Sequence, residues 1–156
     1  MSEKAPLSEL DVVRRGTVSW LTHPPSGEAR IEADSFAFHA MPVSMPDGDP
    51  LSQVATPGEL LAVTHAIFLA AALSEALALG NSPANEIVVS AACTFRGRVQ
   101  DRGLAAVDLR VRGRVPGLDP AEFREAVAAA RQTSLRAAGL REDIPGSLEA
   151  ELAPSN

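Results

Sequence analysis

Thiols are nearly absent from this sequence: Cys93 is its single cysteine. One cysteine excludes an internal disulfide and any cysteine-rich metal site. A basic excess is missing as well. The net charge is −6, which argues against a nucleic-acid partner, because phosphate binding needs a positive surface. No N-terminal basic stretch followed by an apolar one marks secretion, so the cytoplasm is the expected compartment. There is no internal repeat and no low-complexity tract. The histidines His23, His39 and His65 are too scattered to make a ligand set, so no metal and no cofactor is expected. What is present is ordinary for a globular protein: 46% hydrophobic and 22% charged residues over 156 positions. That length predicts a single domain over 1–156 able to bury a real core, with a loose start over 1–10.

The most informative segment is TPGELLAVTHAIFLAAALSEALALG, from Thr56 to Gly80. Thr56 takes the N-cap position, Pro57 the first helical position, and Glu59 stands three residues after the cap, the pattern of a capping box. Gly80 is expected to supply the left-handed residue that ends the helix. Apolar residues cover every face between, which predicts a helix buried on most sides. Its length approaches that of a membrane span, but His65, Glu75, Ser74 and Thr64 argue against a membrane role. In a buried helix, His65 and Glu75 would each need a partner.

Alternation predicts strands on both sides of this helix. Val12 to Leu21 is strand-like and holds Trp20, and 23–27 (His-Pro-Pro-Ser-Gly) is a turn by composition. From Glu28 to His39, Arg30, Glu32 and Asp34 fall on one face and Ile31, Ala33 and the Phe36/Phe38 region on the other. Residues 40–56, rich in proline, read as a long irregular connection. Ile87, Val89, Ala91, Cys93 and Phe95 share a strand face that ends near Val99, and Asp101-Arg102-Gly103 signals a hairpin. Next, Val107, Leu109 and Val111 face inward, while Asp108, Arg110, Arg112 and Arg114 form a solvated face. A second helix opens with Asp119 as N-cap, Pro120 and Glu122, stapled by Leu118 and Phe123, and runs to about Ala138 with Gly139 or Gly146 near its exit. Ser147 to Leu152 reads as a closing strand. Strands interrupted by helices and joined by hairpins predict an α+β fold.

The order and spacing of these segments resemble the OsmC/Ohr family of small dimeric thiol peroxidases that reduce organic hydroperoxides. TPGELLAVTHAIFLAAALSEAL is similar to the family's central helix, with Pro-x-Glu-Leu, then Ala-His-Ala, then a cysteine. VRGRVPGLDPAEFREAVAAARQTS is similar to its strand, Val-Pro-Gly-Leu turn and second helix, and LEAEL to its closing strand. The resemblance covers residues 12 to 152 and is closer to the OsmC branch. It implies antiparallel sheets around a long buried central helix in an intertwined homodimer.

The same resemblance locates a departure. The family's reactive cysteine lies three residues after the helix His, and here that position is Phe68. Its resolving cysteine, followed by proline, corresponds to Ser134, followed by Leu135. A thiol peroxidase needs a thiolate to attack the O–O bond and a second thiol to resolve the sulfenic acid. Phenylalanine and serine supply neither. The resemblance also implies a pocket lined by His65, Ile67, Phe68, Ala71 and Ser134 against the partner subunit, suited to a small apolar ligand. In the family the acid matching Glu59 pairs with an arginine, for which Arg14, Arg15 and Arg30 are the candidates. The reading is therefore a non-catalytic binding or scaffold homodimer. The alternative is a hydroperoxide reductase that uses Cys93 or a non-thiol group. Cys93 falls on an apolar strand face, where a thiol is inert. Glu59 is accounted for by capping and His65 by core packing.

Overall fold

The computed structural model describes residues 12–20, 27–45, 54–98 and 101–154. The expected loose start, the turn containing His23, residues 46–53 of the long connection, and Val99 lie outside these residues. Two compact units are present, one ending at Thr56 and one beginning at Pro57.

In the first unit, β1 (Gly16–Trp20), β2 (Gly27–Ala33) and β3 (Met41–Met45) form an antiparallel sheet in the order β1-β2-β3. Val18 pairs with Ile31, and Arg30 with Pro42. The alternation of β2 is as expected, with Ala29 buried and Arg30 and Glu32 exposed. Two expectations are corrected here. β2 stops at Ala33, and the chain then turns through left-handed Phe36 and Ala40, with φ of 58° and 48°. This leaves Phe36 and Phe38 exposed rather than on the inward face. The proline-rich connection contains a strand, β3. Proline is tolerated there because β3 is an edge strand, and the Ser44 N–H donates to the Ala55 carbonyl at 2.9 Å.

The second unit contains α1 (Pro57–Leu79), β4 (Glu86–Arg96), β5 (Gly103–Arg114), α2 (Pro120–Ala138) and β6 (Leu148–Leu152), with the sheet order β4-β5-β6. The β4–β5 hairpin is antiparallel, with Cys93 opposite Val107. β6 runs parallel to β5, with Val111 opposite Ala150. The second sheet is therefore mixed, with one antiparallel and one parallel pairing. The α2 crossover carries the chain back along the sheet before β6 begins, which is what a parallel neighbour requires.

α2 is punctuated as expected. The Asp119 carboxylate accepts from the backbone N–H groups of Ala121 and Glu122 at 2.7 and 2.9 Å. The Glu122 carboxylate accepts from the Asp119 N–H at 3.0 Å, completing the capping box. Gly139 ends the helix with φ 63°. Phe123, next to this cap, is fully buried, and its ring occupies the space a side chain would need at Gly113. A Cβ there would lie 2.5 Å from the ring.

α1 begins at Pro57 as expected but differs in two respects. Its left-handed terminator is Asn81, with φ 58°, not Gly80. The Ser82 N–H reaches the Leu77 carbonyl at 2.9 Å and the Asn81 N–H reaches Ala78 at 3.1 Å, a Schellman pair. The helix is also not buried on most sides within the chain. It packs against α2 and β4 along the single stripe His65, Leu69, Leu73 and Leu77. Glu75 is exposed and needs no buried partner. The α1 stripe meets Val107, Leu109 and Val111 of β5 and Phe123, Val127 and Ala130 of α2 in one core. Fully burying each large aliphatic or aromatic side chain there contributes roughly 1.5–3 kcal/mol.

Candidate functional site

The residues implied as a pocket divide between two environments. On α1, Ile67, Phe68 and Ala71 point away from the core with Val63. Val63 is 53% exposed, Ile67 61% and Phe68 37%. They form one apolar, solvent-facing strip, because i, i+4 and i+8 positions stack along a helix. The same helix turned toward the core carries His65, only 5% exposed. Burial, and secondly the positive charge of Arg131 on α2, push the His65 imidazole below its ordinary pKa. His65 is therefore a neutral imidazole near pH 7.

Ser134 lies on the buried stripe of α2 with Phe123, Val127 and Ala130. Its hydroxyl donates to the Arg131 carbonyl one turn back at 2.8 Å. That bond satisfies the buried group locally, as serine commonly does within helices. His65 and Ser134 are thus the polar members of the two apolar stripes that form the core, and both relate to Arg131. Sequence reasoning missed Arg131. Its only signal was a position three residues before Ser134.

Cys93 is half-buried on β4 and packs against the core with Val89 and Ala91. Burial raises its thiol pKa, so the thiol form dominates and nucleophilicity is low. Glu59 stands in the first turn of α1. The candidate arginines make contacts within the first unit: Arg14 with the Val13 carbonyl, Arg15 with Asp34 at 3.7 Å, and Arg30 with the Ala40 carbonyl at 3.3 Å. Exposed His39 lies 3.9 Å from Glu32. Among the described residues, no three His, Cys, Asp or Glu side chains are grouped to hold a metal ion.

Among the described residues, surface clefts lie in the second unit at two places of note. One separates the second half of α2 from the segment that precedes β6. The other lies over β4, β5 and β6, where Asp108 accepts from both the N–H and the hydroxyl of Ser147 at 2.8 Å. Neither includes Phe68.

No family model matches the sequence, and no curated protein matches it. Solved structures do. An organic hydroperoxide resistance protein from Elizabethkingia anophelis aligns with a TM-score of 0.72 at 19% identity, over 94% of this chain and 100% of that one. An OsmC-like protein of unknown function from Vibrio cholerae aligns with a TM-score of 0.70 at 12% identity, over 90% and 99%. The organic hydroperoxide resistance protein of Bacillus subtilis aligns at 0.64 and 18%, over 89% and 98%. The chain has the OsmC/Ohr-like α+β fold.

Proposed function

We propose that this chain is an OsmC-like protein without thiol peroxidase chemistry, acting as a binding or scaffold homodimer. One observation carries the reading: its only thiol, Cys93, lies on the core face of a strand with a raised pKa; the resemblance adds that Phe68 and Ser134 stand where it would put the family cysteines. Reduction of a hydroperoxide by a thiolate forms a sulfenic acid and releases an alcohol; a second thiol then condenses with the sulfenic acid to a disulfide, losing water, and an external dithiol reduces that disulfide. An aromatic ring cannot take the first role. Ser134 cannot take the second, and its hydroxyl is already engaged by the Arg131 carbonyl. Phe68 instead adds apolar surface to the exposed strip of Val63 and Ile67. That strip is the surface we assign to a partner copy and, beside Phe68, to a small apolar ligand held without turnover.

The test is reduction of cumene hydroperoxide with a dithiol reductant, comparing wild type with Cys93→Ser. The expected result is no appreciable turnover by either protein. Robust wild-type turnover abolished by Cys93→Ser would establish the alternative, a one-cysteine hydroperoxide reductase.

A further inference from the structure

The cleft beside α2 has a volume of about 510 Å³, within the range of roughly 300–1,000 Å³ usual for small-molecule sites. Its walls are mixed: the apolar side chains are Ala128 and Leu135 from α2 and Ile144, Pro145 and Leu148 from the opposite side, with polar Gln132 and charged groups between them. Gly146 closes that segment against β5, for a side chain there would collide with the Val107 carbonyl.

The charges around the cleft are unequally matched. Glu142 and Asp143 line it, but each is held by an arginine outside it. Arg136 lies 3.4 Å from Glu142, and the Arg141 Nε donates to Asp143 at 2.9 Å. Arg131 lines the same cleft and is half-buried, yet its guanidinium forms no ion pair among the described residues. Two further groups feel its charge. His65 is neutral, and Asp108 already accepts two hydrogen bonds from Ser147. A partly desolvated guanidinium beside an apolar wall favours an anion that can accept its paired N–H donors.

We propose that this cleft binds a small organic monocarboxylate, with its carboxylate on Arg131 and its aliphatic or aromatic body against Leu135, Ile144 and Leu148. A single negative charge fits better than a phosphate dianion, since Glu142 and Asp143 repel a second one. The site is separate from the Phe68 strip and does not depend on the reading of that strip.

The probe is 3-phenylpropionate, titrated into the full-length protein while backbone amide shifts are followed by NMR. Saturable shifts are expected at 128–135 and 142–148. Arg131→Gln should weaken binding at least about tenfold, and the neutral alcohol 3-phenylpropanol should bind wild type weaker by a similar factor. Arg136→Gln leaves the cleft lining intact but frees Glu142 to pair with Arg131, so it too should weaken binding. It keeps the test decisive if Arg131→Gln fails to fold. Absence of saturable shifts in these segments at millimolar probe would overturn the proposal. So would unchanged affinity in either variant, equal affinity for the alcohol, or inorganic phosphate binding as tightly as the carboxylate.

Discussion

At the scale of single residues, burial decides which polar groups matter. His65 is buried and its pKa is lowered from 6.5 by desolvation and by Arg131, whereas Glu75 on the same helix is exposed. A histidine with a depressed pKa in the folded state binds fewer protons there than in the unfolded chain. Its favourable contribution is therefore complete above pH 6.5 and is lost as pH falls below that value toward the folded-state pKa. Chemical denaturation across that window should show wild-type stability falling with acidity. His65→Gln should be less stable at neutral pH but flatter over the same range. Parallel pH profiles for the two proteins would mean that His65 stays accessible to protons in the fold. Cys93 belongs at this scale too. With its pKa raised by burial, it should react with a thiol-selective alkylating reagent much more slowly in native protein than in denaturant.

At the scale of elements, the two helices are held by different devices at their ends. α2 has both halves of a capping box at its start, and Asp119→Ala should lower stability by about 1 kcal/mol. α1 ends on Asn81 in the left-handed region, which asparagine tolerates and glycine prefers. Asn81→Gly should therefore leave thermal stability unchanged or raise it, while Asn81→Val should lower it by about 1–2 kcal/mol. Equal melting temperatures for both variants would show that this helix end does not carry the left-handed residue. Cross-strand ion pairs decorate the solvent side of the second sheet, with Arg110 on Glu149 at 2.8 Å and Arg114 on Glu86 at 3.6 Å. Such exposed pairs contribute little to stability, so Arg110→Ala should change it by less than about 1 kcal/mol.

At the scale of the whole molecule, α1 poses the main physical problem. By length and composition it could cross a membrane, yet it packs against α2 and β4. Its core stripe leaves Val63, Ile67 and Phe68 facing solvent in the single chain. A second copy covering that strip would remove it from water, and isologous pairing places like surface on like. Sedimentation at micromolar concentration should accordingly give a dimer. Ile67→Asp should shift the population toward monomer, since a carboxylate would have to be desolvated in the interface. A stable, well-folded wild-type monomer would contradict the proposed assembly.

Local chemistry determined much of what is observed. The capping box at Asp119 and the alternation of Val107, Leu109 and Val111 depend on neighbours within a few residues, and both occur where the sequence places them. The order of helices and strands likewise follows from periodicity and turn residues. Four features were decided only by tertiary structure. β3 forms despite Pro42 because it lies at a sheet edge, a position no local pattern reveals. Uniform apolarity in α1 could not indicate which stripe would face the core, because every face was equally suited to burial. The resemblance alone singled out Phe68 and Ser134, and that much was legible in the sequence. The divergence of Phe68 toward solvent and Ser134 toward the core was not, nor was the approach of Arg131 to His65. That approach joins helices far apart in sequence, and such a contact exists only once α1 and α2 have packed.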